Sequence, residues 1–306
     1  MRHAILGAGG VGGMIGACLA RGGESVTLVV RPATLADHPL KLQFESPFGS
    51  WSVEVAWAAA VPSTDVLWLT VKATQLEAAM RSIADAQSTG AIVPLLNGID
   101  HIERLRSKFG TERVIPATIA GEMERVSVGH FVHRSPFAVL NISGRGRSLL
   151  QPVSERLRGL GFTCNFVDDE TTLLWSKLVF LGPFALATTA FDKPIGEVVT
   201  NPSTWQKLES CVRETCMAAQ AEGAKLDVEK VLKMIKAAPP AMRSSMQKDV
   251  DHGRPPELDA IGGTIVRAAD RHGLQVPVTK NLMAQIEART LRRTSPTNCL
   301  ANTKHH

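Results

Sequence analysis

The sequence predicts an α/β fold, with a doubly wound parallel sheet in the first half of the chain and an all-helical domain in the second. Three observations predict it. Short apolar runs alternate with helical patterns from the N-terminus to about Val167, as strands and their crossover helices do. From Asp168 onward such runs disappear and long helical patterns take over. Between the first apolar run and the first helical pattern lies a cluster of glycines. The expected division is residues 1–167, residues 168–293 and a tail at 294–306, with no internal repeat and no low-complexity linker. A chain of 306 residues is long enough for two domains that each bury a core.

The opening segment is apolar at Ala4-Ile5-Leu6, glycine-rich at Gly7-Ala8-Gly9-Gly10-Val11-Gly12, and helical in pattern through Met14, Ile15, Cys18 and Leu19. Strand, glycine turn and helix start follow in the order a Rossmann-type dinucleotide site requires. Gly7 permits the tight turn out of the strand, Gly9 lets bare backbone approach a diphosphate, and Gly12 lets helix and strand pack closely. The helix start offers free N–H groups and a partial positive charge to the phosphates. Glycine turns also occur in loops that bind nothing. The strand before this one, the helix after it and its place in the first βα unit favour the dinucleotide.

Ser25-Val26-Thr27-Leu28-Val29-Val30 reads as the second parallel strand. An acidic residue near its end would hold a ribose 2'-hydroxyl, but Arg31 stands there and would attract a 2'-phosphate. The sequence alone leaves an ordinary solvated arginine open as the other reading. Leu40, Leu42 and Phe44 alternate, as does the run from Trp51 to Val55, and the turn residues between them predict a hairpin. Asp65-Val66-Leu67-Trp68-Leu69-Thr70-Val71 is a buried strand ending at Lys72, and Ala91-Ile92-Val93-Pro94-Leu95-Leu96 is another ending at Asn97-Gly98. Ligands sit at the C-terminal ends of such strands, which places Lys72 and Asn97 on one rim. Pro94 suits an edge strand rather than a central one. Residues 113–119, 130–133 and 138–142 supply further strands.

Helices are expected at 170–189, 203–222, 228–238, 258–271 and 279–288, so that two domains face one cleft. The first contains Trp175-Ser176-Lys177-Leu178-Val179-Phe180, a single lysine among apolar residues, and Gly182-Pro183, which should kink it. Lys177 either snorkels to water or, held in an apolar site, has a lowered pKa and serves as a proton donor near neutral pH. Of the polar segments Ser244-Ser245-Met246 with Asp249, and Glu257-Leu258-Asp259, the sequence alone reads Glu257, after Pro255-Pro256, as a favourable first-turn charge and Asp249 as a helix-face acid, structural roles more often than functional ones.

Composition narrows the classes. The net charge of +5 argues weakly for an anionic ligand, but the basic residues are scattered and aromatics are few, against a nucleic-acid face. Tyrosine is absent, which excludes a tyrosine acid. Cys18, Cys164, Cys211, Cys216 and Cys299 form no CxxC pair, and neither they nor the nine histidines show metal-ligand spacing, so reduced thiols in a cytoplasmic protein without a metal are expected. No apolar stretch of membrane-spanning length lacks Lys, Pro or polar breaks, and the N-terminal run is too short and too broken by glycine for a signal peptide. His305 and His306 close the tail.

The set Gly7-Ala8-Gly9-Gly10-Val11-Gly12, Arg31, Val71-Lys72, Leu96-Asn97-Gly98, Trp175-Ser176-Lys177-Leu178, Ser244-Ser245-Met246 with Asp249, and Glu257-Leu258-Asp259 resembles the ketopantoate reductase (2-dehydropantoate 2-reductase) family, in order and over nearly the whole chain. The resemblance implies NADPH-dependent reduction of a 2-keto acid to a 2-hydroxy acid, 2-dehydropantoate to pantoate in pantothenate biosynthesis. It implies a catalytic pair of Lys177, the general acid, and Glu257, which orients substrate or cofactor. It assigns NADPH to Gly7, Ala8, Gly9, Gly10, Val11, Gly12, Arg31, Lys72, Asn97 and Glu257, and the substrate to Asn97, Lys177 and Ser245. The helical part then carries substrate-binding and dimerisation roles, with a homodimer among the assemblies it allows. One departure stands out: family members acting on ketopantoate have asparagines where this chain has Leu181 and Ala185, one and two turns beyond the lysine on its face. Losing two amides points to a more apolar or larger ketone, or to polar contacts from elsewhere, with Thr188 a candidate.

Overall fold

The structure is a computed structural model that describes residues 1–84, 86 and 89–294. The chain divides into two compact units between Leu174 and Trp175.

The first unit is built on a parallel sheet of five strands: β1 (Arg2–Leu6), β2 (Ser25–Val29), β5 (Ala56–Ala58), β6 (Thr64–Leu69) and β7 (Thr89–Pro94), in the order β5-β2-β1-β6-β7. Between them the chain forms α1 (Gly10–Arg21), the antiparallel hairpin β3 (Lys41–Ser46) and β4 (Gly49–Glu54), and α2 (Leu76–Ala84). Then follow α3 (His101–Phe109), β8 (Ala117–Ala120), β9 (Met123–Ser127), β10 (His130–His133), β11 (Val139–Ser143), α4 (Arg147–Gly159) and β12 (Thr163–Val167).

The period of two along the central strands sorts side chains to the two faces. Ile5, Leu28 and Trp68 face α1, where they join Met14, Ile15, Phe44 and Phe131 in one core. Ala4, Leu6, Leu67 and Leu69 face the other way, against Leu76, Met80 and Ile83 of α2 and Leu105 of α3. Helices thus cover both faces, as a doubly wound sheet requires. β7 is an edge strand of the sheet and Pro94 is its last residue, so the missing N–H costs no central ladder bond.

The alternation of runs predicts one open sheet, and here the structure differs. The remaining strands form a four-stranded sheet, β4-β3-β10-β9, and a three-stranded sheet, β12-β11-β8. The four-stranded sheet joins His130 of β10 to Gln43 of β3, a pairing across the whole sheet-forming segment that no local period encodes. It lies over α1, which is therefore sandwiched between two sheets. The fit depends on glycine: a β-carbon on Gly13 would stand 2.1 Å from the Phe131 ring.

The second unit is helical. α5 (Glu170–Phe191) enters it from the first; α6 (Ile195–Thr200), α7 (Pro202–Ala221), α8 (Val228–Lys236), α9 (Ser245–Asp251), α10 (Thr264–Arg271) and α11 (Pro277–Thr294) follow. The expected boundary at Val167 and the division at Leu174 differ by the link into α5 and its first turn. That turn is tied to the first unit: Glu170 accepts from Ser143 Oγ at 2.6 Å and pairs with Arg106 at 2.7 Å, while Leu173 and Leu174 pack on Ile102. The helix runs on through Pro183, which withholds one backbone donor without ending it. The single helix expected over 258–271 is instead a π-turn, Asp259–Gly263, leading into α10. α6 and α9 are too short to show helical periodicity in sequence, and the tail at 295–306, with Cys299, His305 and His306, lies outside the described residues.

α5 is long and apolar enough to cross a membrane, yet 72% of its most apolar stretch is buried inside the protein, as in a core helix. Cys18, Cys164, Cys211 and Cys216 are buried free thiols. Gly13→Ala is expected to lose about 1–2 kcal/mol net, because overpacking against the Phe131 ring outweighs the gain in helix propensity. Thermal melts should show the loss, and Phe131→Leu in the same chain should recover part of it.

Candidate active site

The glycine turn links β1 to α1 by backbone contact. Gly7 has φ of 110°, a left-handed conformation that side chains rarely adopt, and its carbonyl accepts from Gly9 N at 2.8 Å and from Thr70 Oγ1 at 2.7 Å. A β-carbon on Gly12 would stand 2.1 Å from that same carbonyl oxygen. Gly9 is different: it is exposed, and a β-carbon there would meet nothing within 4 Å. α1 starts with no side-chain cap and no acid in its first turn, so its dipole and amides face an open, uncompensated approach. These features fit a dinucleotide diphosphate. Ala8 is buried, Val11 is half-buried, and Gly10 admits the Met123 carbonyl oxygen, which would lie 2.4 Å from a β-carbon.

The other expected cofactor residues leave the same C-terminal edge of the parallel sheet. Arg31 follows β2, is exposed, and makes no ion pair among the described residues. Lys72 follows β6, exposed, at the start of a short 3-10 turn, and Asn97 follows β7, half-buried. β1 leads by α1 to β2 on one side and its neighbour on the other side is β6, so the chain reverses direction of winding at the glycine turn, where such sheets bind ligands. Arg125 of β9 reaches the Ala8 carbonyl across 117 residues of sequence, a contact that no local motif announces.

In the second unit, Lys177 is half-buried rather than free in solvent. Burial pushes its pKa down to about 8, and the charge of Glu257 opposes that fall. Glu257 is itself buried, at 8% exposure, just before the π-turn. The structure thus brings Lys177 and Glu257 into electrostatic contact. Ser245 is exposed at the first position of α9. Its neighbour Ser244 is buried and structural, its hydroxyl 2.9 Å from Thr188 Oγ1 and accepting from Gln247 N at 3.1 Å as the helix cap. Asp249 accepts from Arg254 Nε at 2.8 Å.

Thr188 does not supply the polar contact expected of it. It is fully buried, and its hydroxyl donates to Phe184 O at 2.8 Å, so it has no surface to offer a substrate. Ala185 is buried too, at 1% exposure. From Lys177 to Thr189 only Lys177, Phe180 and Leu181 are not buried. Among the described residues, no three His, Cys, Asp or Glu side chains cluster as metal ligands would.

Residues 3–143 match the family described as ketopantoate reductase PanE/ApbA, and residues 170–290 match its C-terminal counterpart. The chain belongs to the ketopantoate reductase family. A 2-dehydropantoate 2-reductase of Mycobacterium tuberculosis is 32% identical over 235 residues, covering 73% of this chain and 76% of that protein. The crystal structure of a PanE/ApbA family ketopantoate reductase from Ralstonia eutropha superposes with a TM-score of 0.87 at 25% identity, over 96% of this chain and 100% of the other. A ternary structure of a D-mandelate dehydrogenase with NADH and anilino(oxo)acetate shares the fold with a TM-score of 0.86 at 20% identity, over 95% and 99% of the two chains. Ketopantoate reductases are soluble, NADPH-using oxidoreductases that act on CH–OH groups and small keto acids.

With Arg31 at the end of β2, removing that guanidinium should discriminate between the two nicotinamide cofactors. Arg31→Ala is expected to raise the Kd for NADPH about 10-fold or more, as loss of a charge-assisted phosphate contact does, with NADH changed less than about threefold. Fluorescence titration with each nucleotide checks this.

Proposed function

We propose that the chain is an NADPH-dependent reductase of a 2-keto acid with an apolar side group, and that Lys177 is its proton donor. The observation that carries the reading is one half-buried ammonium beside a buried carboxylate, with a pKa near 8. Gly7, Ala8, Gly9, Gly10, Val11, Gly12, Arg31, Lys72 and Asn97 would hold NADPH, which supplies the hydride when bound. Lys177 is mostly protonated at neutral pH yet close enough to its pKa to release a proton readily. Its Nζ stabilises the negative charge growing on the keto oxygen and then delivers the proton to it. Glu257 favours the charged form of Lys177: without that carboxylate, burial would push its pKa further down. Asn97 orients the substrate, and Ser245 meets its carboxylate.

Phe180 and Leu181, three and four residues beyond Lys177 on α5 and likewise only partly buried, would meet a carbonyl compound that approaches the lysine along this helix. An aromatic ring and a branched aliphatic chain favour an apolar substituent and offer a hydroxyl no partner. A D-mandelate dehydrogenase, solved with NADH and anilino(oxo)acetate, shares this fold and supports an apolar or aromatic 2-keto acid as the substrate. Ketopantoate, the family substrate in pantothenate biosynthesis, carries a hydroxyl and is expected to be the poorer one. Cytoplasmic location, supported by four buried free cysteines, and a homodimer carried over from the family complete the reading.

Lys177→Gln should reduce kcat by about 100-fold or more with the Kd for NADPH nearly unchanged. In the wild type, kcat/KM for reduction should fall as pH rises through about 8, where Lys177 loses its proton. Glu257→Gln should move that fall to lower pH, and a profile flat from pH 7 to 9.5 would reject Lys177 as the acid. A substrate panel separates the acids: kcat/KM for 2-ketoisovalerate or phenylpyruvate should exceed that for ketopantoate about 10-fold or more, and Leu181→Asn should narrow the ratio. NADPH binding without oxidation by any keto acid would instead favour a regulatory protein.

A further inference from the structure

The glycine turn has a second wall that the dinucleotide motif does not require. β9, an edge strand of the four-stranded sheet, runs past the start of α1, with the Met123 carbonyl against Gly10. Two residues on, Arg125 is exposed and its Nη1 donates to the Ala8 carbonyl oxygen over 3.5 Å. Ala8 belongs to the turn, and its neighbour Gly9 is open, with no atom within 4 Å of the position a β-carbon would take. The guanidinium therefore stands at the rim of the space into which α1 directs its amides.

The charges around it leave that cation available. Glu124, the adjacent acid, is bound to Arg134 at 2.8 Å. No carboxylate pairs with Arg125 among the described residues, and the first turn of α1 has none either. A neutral carbonyl at 3.5 Å is a weak acceptor at the limit of hydrogen bonding. Phosphate oxygens accept charge-assisted bonds from a guanidinium that are shorter and stronger, often two at once.

We infer that Arg125 is a ligand of the dinucleotide diphosphate, lent to the glycine turn by the second sheet. A diphosphate seated on the turn exchanges the long bond at Ala8 for direct bonds to the Arg125 guanidinium. Two basic residues then divide the cofactor between them: Arg31 reads the 2'-phosphate and selects NADPH, whereas Arg125 holds the diphosphate common to both nicotinamide dinucleotides. The inference rests on the dinucleotide reading of the turn and is independent of the assignment of Lys177.

Arg125→Ala and Arg125→Lys in the full chain test it, by fluorescence titration with NADPH and with NADH at low and moderate salt. Arg125→Ala should raise both Kd values by a similar factor, about 5- to 20-fold, and flatten their salt dependence. Arg125→Lys, which keeps the charge, should recover part of the loss. The melting temperature of the ligand-free protein should stay within about 2 °C of wild type, while the rise on adding NADPH shrinks. Kd values within about twofold of wild type would overturn the assignment. So would a loss confined to NADPH, which would move Arg125 to the 2'-phosphate, or a ligand-free melt lowered by several degrees, which would make it structural. Wild-type protein that binds neither nucleotide would remove the dinucleotide reading itself.

Discussion

Backbone lying directly on backbone at the glycine turn is the constraint from which the first unit follows. The Gly7 carbonyl receives Gly9 N and Thr70 Oγ1 while Gly12 presses against it, so β1, β6 and α1 meet at distances that no side chain would tolerate. Once α1 is drawn onto the parallel sheet, its opposite face is available to a second layer. Gly10 and Gly13 let the four-stranded sheet take that place, with the Met123 carbonyl and the Phe131 ring filling the space their missing β-carbons leave. Neighbouring glycines of one turn and helix start therefore divide the work: Gly9 leaves the amides open to a phosphate, while Gly10 and Gly13 lock the helix between two sheets. Binding and packing are consequences of one choice of residue.

The second unit depends on a different balance. α5 is a core helix whose apolar surroundings tolerate one ammonium because it retains partial access to solvent and because Glu257 lies near it. An isolated buried lysine would shed its proton well below neutral pH, and a fully solvated one would hold it too tightly to act as an acid. The combination of desolvation with one compensating carboxylate sets the poise between these extremes. The π-turn at Asp259–Gly263, immediately after Glu257, is the kind of helical irregularity that accompanies functional sites.

Local patterns expose much of this in the sequence. The central strands, the hairpin before β5 and the edge position of β7 follow from period-two runs, turn residues and Pro94, each a short-range property. What escapes is what joins distant segments. The pairing of His130 with Gln43 splits the expected single sheet, and the reach of Arg125 to Ala8 crosses 117 residues. Thr188 shows the limit from another side: helical spacing puts it near the lysine's face, but only its partners, Phe184 O and Ser244, show that the hydroxyl is already engaged. Lys177 was legible as an unusual residue, whereas its electrostatic pairing with Glu257, 80 positions away, depends on how the helices fold back on one another.

The depressed Lys177 pKa also ties the protonation of this one residue to the stability of the fold. In the unfolded chain this lysine keeps its proton up to its ordinary value of 10.5, while in the native protein it gives it up near 8. Between those limits the unfolded ensemble carries more protons at this position, so alkalinity favours the native state there through Lys177. Below that range the native protein bears the full penalty of desolvating a cation. At this one position the fold is less robust wherever the ammonium keeps its proton, and the strain is relieved only where that proton has been lost.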